Sequence, residues 1–363
     1  MRFMSQGICG ATLLLAAGGA VAQTSVTLYG VADTFVQYLD NGGKHSYSVR
    51  SGGSTGSLFG LKGSEDLGGG LNAVFDVENG FNINNGTFFA DSTTMFYRQS
   101  WIGLKHDTYG SLTFGRQYQP SFWAVYFTDP FRGNEVTSLL AAADLAGATD
   151  KSTLATQYVS GRTSNSIVYT SPDLRGVHLY AMYALASTVT LPVPVRSGNM
   201  LDVAANYSGY GFYAGVGYQY QHGGQETAPL VPTAPTLLTA FNLVATEHFT
   251  GALAYRLGIV NFQFNYSYNR PKDVPDGAMV AITPAVGVPL SALVHPYSIV
   301  QLGATIQATA ADVIEIAGIY RDVRGVHDNS PGFQVGVDHS LSKRTSLYMR
   351  AGYIKNNGVA NMS

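Results

Sequence analysis

Runs of alternating apolar and polar residues recur along almost the whole chain from Ser25, and the links joining them are short and long in turn. In Val26-Thr27-Leu28-Tyr29-Gly30-Val31-Ala32-Asp33 the even positions are apolar or small. Thr27, Tyr29, Asp33 and, beyond them, Gln37 share the odd face. The same period recurs in Leu71 to Glu78, Ile259 to Tyr266 and Asp312 to Ile316. A period of two marks a strand with one apolar face, and counting such runs gives about fifteen strands of the length that crosses a bilayer at a tilt. Short links lie at Glu65 to Gly70, His106 to Gly110, Pro172 to Gly176, Ser208 to Gly211, Arg256 to Gly258, Thr309 to Ala311 and Leu341 to Arg344. Long ones lie between them, at Asp40 to Ser54, Asn79 to Thr94, Tyr118 to Thr163, Ala186 to Asn199, His222 to Thr246, Arg270 to Pro296 and Val323 to Pro331.

Antiparallel strands with every second link short have two unlike ends. Transmembrane barrels of the bacterial outer membrane have this character, with short turns inside the cell envelope and long loops outside. A soluble sandwich has no reason to segregate its links so strictly. Lipid also forbids an open sheet edge, because unpaired backbone groups in hydrocarbon cost several kcal/mol each, so the sheet is expected to close. Composition agrees: 12% of residues are charged, against roughly 25% in soluble domains, too few to coat a soluble surface. A net charge of -2 excludes the basic footprint of a nucleic-acid binder.

The first 22 residues read as a secretory signal, with Arg2, an apolar stretch from Ile8 to Val21 and the small-residue site Ala20-Val21-Ala22. Residues 1–22 are therefore expected to be removed and 23–363 to form the barrel. Cys9, the only cysteine, lies inside that signal, so the mature chain offers no disulfide and no thiolate metal ligand. After Gln23 no apolar run is long enough for a membrane-crossing helix. The link from Tyr118 to Thr163 is the longest, and loops of that size are usually functional. Folded into the lumen, it would narrow the pore.

At this point the residues resemble the general porin family of Gram-negative bacteria, in particular its beta-proteobacterial members. The resemblance is carried by Ser25 to Val31, Gly60 to Leu71, Gly110 to Arg116, Asn165 to Pro172 and Leu341 to Thr345. It implies an all-β, sixteen-stranded transmembrane antiparallel barrel in the outer membrane, assembled as a homotrimer, with each pore constricted by the third loop, about residues 118–163. Expected partners are outer-membrane lipid and lipopolysaccharide, the barrel-assembly machinery, and the small hydrophilic solutes and ions that diffuse through. No cofactor is implied. The family sets acidic groups on the third loop against a ladder of basic side chains on the opposite wall. Arg98 and Arg162 look like two rungs, and Glu78 like an acidic wall residue near them. Asp129 and Glu135 are the loop's candidate constriction residues, while Asp144 and Asp150 read as solvated charges. Charged rings of this kind set ion preference in pores. Leu58 stands where a constriction arginine is usual, and Arg132 where an acid would stand in the loop, so a weak transverse field and mild ion selectivity are expected.

Parity sorts the remaining charges. Asp33, Asp76 and Lys62 are expected in the lumen away from the narrowest point. Arg116 shares a face with Leu112 and Phe114, which puts it outside, where lipid at mid-depth would charge about 2–4 kcal/mol. A subunit interface removes that cost, so Arg116 is expected to pair with a neighbouring subunit's second loop, around Asn79 to Thr94. Tyr169, Tyr180, Tyr207 and Tyr255 are expected in interfacial girdles. Catalytic signals are weak. Gly52-Gly53-Ser54-Thr55-Gly56 spells a nucleophile elbow but leads into a strand and not a helix, and consecutive Asp338, His339 and Ser340 point to alternate faces. The histidines lack metal-ligand spacing, so no enzyme is expected. A substrate-selective channel is the second reading, with the proline-rich stretches Leu191 to Pro194 and Pro229 to Pro235 as its candidate loops. The chain stops at Asn361-Met362-Ser363 without a further amphipathic strand, which reads as a truncated sequence with one strand fewer than sixteen.

Overall fold

The computed structural model describes residues 25–89, 94–134, 137–138, 161–185, 199–229, 238–243, 245–272, 279–283, 286–289, 295–326 and 328–358. Fifteen strands form one sheet in chain order, each antiparallel to the next. They are β1 (Ser25–Val31), β2 (Leu58–Gly68), β3 (Leu71–Gly80), β4 (Gln99–His106), β5 (Gly110–Tyr118), β6 (Arg162–Thr170), β7 (Val177–Ala184) and β8 (Met200–Gly209). After these come β9 (Phe212–Gln221), β10 (Ala245–Leu257), β11 (Val260–Lys272), β12 (Tyr297–Gln307), β13 (Asp312–Val323), β14 (Asp328–Ser340) and β15 (Ser346–Ile354). The count matches the periodic runs of the sequence. Among the described residues the edge strands β1 and β15 do not pair with each other, so hydrogen bonds do not close the sheet. The expected signal, residues 1–22, lies outside the described residues.

Alternation fixes the two faces. Leu28, Ile102 and Leu302 stand 62–72% exposed on the outer face, an apolar belt that only lipid would cover. Inside, Asp202, Asn265, Asn269, Gln301 and Ser267 are buried and polar. Helix α1 (Pro120–Tyr126) follows β5, with proline at its start where the missing N–H costs nothing.

Several links differ from their expected bounds: the short one expected at Glu65 to Gly70 narrows to Gly69 and Gly70, since Glu65 and Asp66 still pair with Ala73 and Asn72. Between β1 and β2 the strand ends at Val31, and Thr34–Asn41 pairs with Lys44–Ser51 in a separate hairpin. The odd-face series from Thr27 to Gln37 therefore breaks at Asp33. Between β13 and β14 only residues 324–327 remain as a link, because Val323 still pairs with Asp328. The residues expected in a loop there continue the ladder.

Candidate functional site

The third loop enters the barrel and lies against one wall. Its attachments run in order across the strands. On β8, the Asp202 carboxylate accepts from the Ser121 N–H at 2.9 Å and its hydroxyl at 2.6 Å. On β9, the Tyr213 hydroxyl donates to Ala124 O at 3.0 Å. On β11, Asn265 Nδ2 donates to Thr128 O at 2.8 Å and the Thr128 hydroxyl donates to Asn265 Oδ1. On β12, Gln301 Nε2 donates to Thr137 O at 2.7 Å and to Asp129 at 3.1 Å, and on β14 Gln334 Oε1 accepts from the Thr137 hydroxyl at 2.9 Å. Val125 meanwhile packs with Ala252, Ile299 and Ile319.

Glycines make this docking sterically possible. A Cβ at Gly215 would sit 2.0 Å from Ala124 O, and one at Gly303 would meet Pro130 Cγ at 2.4 Å. Both residues are on the inner face of their strands, where the loop backbone approaches the wall. Helix α1 thus buries Pro120, Ser121, Ala124 and Val125 against the wall. Its other face carries Phe122, Trp123 and Tyr126, with Phe127 following at 53% exposure. These rings stack on one another, Phe122 on Tyr126 at 5.3 Å and Trp123 on Phe127 at 6.1 Å.

Three of the expected constriction residues are brought together at the ends of β3, β4 and β6. Arg98 Nε donates to Glu78 Oε1, whose other oxygen lies 3.2 Å from the Tyr29 hydroxyl. Arg162 stacks its guanidinium 4.0 Å from the Tyr118 ring and donates to the Tyr118 hydroxyl, with Arg98 and Glu78 in electrostatic reach. Tyr118 stacks in turn on Phe122 at 4.3 Å, so the cluster touches the loop helix. The register slips where Ser164 and Asn165 bulge opposite Arg116, and Asn165 takes φ +54°. Arg162 reaches Tyr118 from beyond that bulge.

Asp129 stands apart from this cluster. It is 1% exposed and accepts from Ser138 Oγ, Gln301 Nε2 and the N–H groups of Phe131 (3.1 Å) and Gly133 (2.9 Å). Burial pushes its carboxyl above the ordinary 3.8, with these donors pulling against that shift. It shapes the loop and presents no charge to water. Glu135, Asp144, Asp150 and the prolines at 191–194 and 231–235 lie outside the described residues.

Asp76 and Lys62 pair across β2 and β3 on the inner face, with the Tyr29 hydroxyl 2.6 Å from Asp76 and Lys62 Nζ 5.3 Å from the Tyr29 ring centre. Asp33 is instead buried at the end of β1. Its carboxylate accepts from the N–H groups of Ser54 (2.8 Å) and Thr55 (2.7 Å) and from the Tyr348 hydroxyl (2.6 Å). Arg350 beside it donates to Gly53 O at 2.8 Å and meets Glu315 at 3.2 Å. Asp33 thereby braces the first link against β15, since the strand that would have aimed it into the lumen stops two residues earlier. Arg116 falls outside with Leu112 and Phe114, and its own chain engages it: Nε donates to Tyr97 O and Nη1 to Ser164 Oγ at 3.0 Å. Tyr169 and Tyr255 are exposed outside at 41% and 51%. Tyr180 faces inward, where its hydroxyl accepts from Asn206 Nδ2 at 3.3 Å, so it is not a girdle residue. Its strand pairs Tyr180 with inward Ala204.

A sequence profile described as Gram-negative porin matches residues 10–359. Outer membrane porin protein 32 of Delftia acidovorans is 25% identical over 99% of this chain and 92% of its own length. An outer membrane porin protein of Bordetella pertussis is 42% identical over a shorter stretch, 35% of this chain and 37% of the relative. Among solved structures, the anion-selective porin from Comamonas acidovorans superimposes with a TM-score of 0.70 at 23% identity, covering 92% of this chain and 90% of that one.

Proposed function

Because this chain belongs to the Gram-negative porin family, we propose that it passes small hydrophilic solutes and ions through a lumen narrowed between α1 and the Glu78–Arg98–Arg162 wall, with a mild preference for anions. It is an outer-membrane channel for passive diffusion. The observation that carries the ion preference is the state of the acids. Asp129 is buried and fully hydrogen-bonded, and Glu78 is paired with Arg98. Arg132 on the loop and Lys62 and Lys105 on the wall are exposed. Exposed charges lining a pore decide which ions dwell there, and here Arg132, Lys62 and Lys105 outnumber the part-exposed Asp76 beside them. The relative from Comamonas acidovorans, described as anion-selective, fits the same direction. The transverse field is weak because the loop lacks a facing acid at Arg132. The zero-current potential across a planar bilayer in a KCl gradient tests this. A modest sign toward chloride supports it, and a preference for potassium contradicts it.

Residues 1–22 serve in this reading as a cleaved export signal, and 23–363 as the barrel inserted by the barrel-assembly machinery beside lipopolysaccharide. The barrel works as a homotrimer, with Arg116 on the face between subunits. A guanidinium held on the outer face by Tyr97 and Ser164 is costly against lipid and tolerable against protein.

A further inference from the structure

Two adjoining cavities open on the inner wall beneath α1. The smaller, of about 170 Å³, is lined by Trp101, Tyr118, Trp123 and Tyr180 together with the amides of Gln99 and Gln117. The larger, of about 350 Å³, carries Lys62, Lys105 and Asp76. Trp101, Ser111 and Thr113 line both, so the two form one bipartite niche, aromatic at one end and charged at the other.

Each end narrows the chemistry of an occupant. The aromatic end has the size for a single aryl ring, since an apolar cavity of about 150 Å³ accepts benzene. Its rings offer faces and edges for offset or edge-to-face stacking, Trp123 standing 5.0 Å from Tyr118. Several of its polar atoms are engaged within the wall, which leaves fewer of them for the hydroxyls of a sugar. Gln99 Oε1 accepts from Trp101 Nε1 at 3.1 Å, Gln117 Oε1 accepts from the Thr113 hydroxyl at 2.6 Å, and Gln117 Nε2 donates to Ser166 Oγ at 3.2 Å. The charged end holds two ammonium groups against one carboxylate, and Asp76 already accepts from Tyr29 at 2.6 Å. That balance selects an anion over a cation.

We propose that this niche is a binding subsite for small aromatic carboxylates, the ring between Trp101, Trp123 and Tyr180 and the carboxylate toward Lys105 and Lys62. The inference rests on the channel reading, because the niche is reached through the lumen. It makes the pore a general diffusion path that holds one class of solute longer than others.

The chain contains two tryptophans, and both line the niche, so their emission reports on it directly. The full chain, refolded in detergent, is titrated with benzoate, with acetate (the charge without the ring) and with benzyl alcohol (the ring without the charge). Benzoate should change the emission saturably at a concentration about tenfold below either control, a margin of about 1.4 kcal/mol. Lys105→Gln, and separately Lys62→Gln, should erase most of the margin over benzyl alcohol while leaving the benzyl alcohol titration in place. In planar bilayers benzoate should also reduce the single-channel current saturably. A benzoate titration no tighter than acetate, or one indifferent to both lysine substitutions, overturns the subsite. A protein that conducts normally yet shows neither response refutes the subsite and leaves the channel standing. A saturable titration in a protein that conducts nothing upholds the subsite and refutes the channel.

Discussion

Single side chains set the sign of the pore's field, and Glu78 and Arg98 are the pair to test. Each is largely buried and each neutralises the other, so removing one leaves the opposite charge uncompensated on the inner wall. A unit charge about 4 Å from an ion in water is worth about 1 kcal/mol, roughly fivefold in a permeability ratio. Glu78→Gln should therefore shift the zero-current potential toward anions by that order, and Arg98→Gln toward cations. Equal shifts in the same direction would show that the pair does not face the conducting path. Asp129 gives a second test at this scale. Its folded-state pKa is raised by burial, so its protonated form favours the docked loop. Loop docking is then most stable below the ordinary carboxyl value of 3.8 and weakens as pH rises through the raised value. Proteolytic nicking near the loop should increase over that interval, and Asp129→Asn should flatten the dependence. Arg98, Arg162 and Glu78 were legible from motif position alone. Tyr29 and Tyr118, which join them, were not, because a tyrosine on a barrel strand reads equally as a girdle residue.

Among the elements, the third loop does most of the functional shaping, and its path is written in the wall that receives it. Gly215 and Gly303 sit inward on β9 and β12, where a side chain would collide with the Ala124 carbonyl and the Pro130 ring of the loop. Substituting valine at either forces an overpacked contact, a cost of about 1–3 kcal/mol borne by the loop and not by the strand ladder. Gly215→Val or Gly303→Val should release the loop from the wall, altering single-channel conductance while the barrel keeps its heat-modifiable migration in gels. Loss of the barrel band would place the cost in the sheet instead. The strands themselves could be read from their period of two. The loop's course could not, since the only sequence trace of it is small inward residues on strands far from it in the chain. Asp202 is a similar case: a buried acid in a strand gives no sign that it anchors Ser121 81 residues away. The first link was misjudged for a local reason. Its hairpin keeps the alternation going after β1 has ended, so periodicity runs straight through the break at Asp33.

At the scale of the molecule, an apolar belt outside, a polar wall inside and an inserted loop are the parts of a water-filled pore, and their arrangement follows from alternation plus one long link. The outward Arg116 belongs to the same scale, because its cost depends on what surrounds the barrel. Arg116→Ala should weaken trimers in semi-native gels and leave single-pore conductance unchanged, whereas intact trimers would remove Arg116 from the subunit interface. Liposome swelling with sugars of increasing size measures passive diffusion through the loop-narrowed lumen. Rates should fall smoothly with solute size and not saturate. Absence of swelling, or uptake of one sugar that saturates while others of its size are refused, would contradict it.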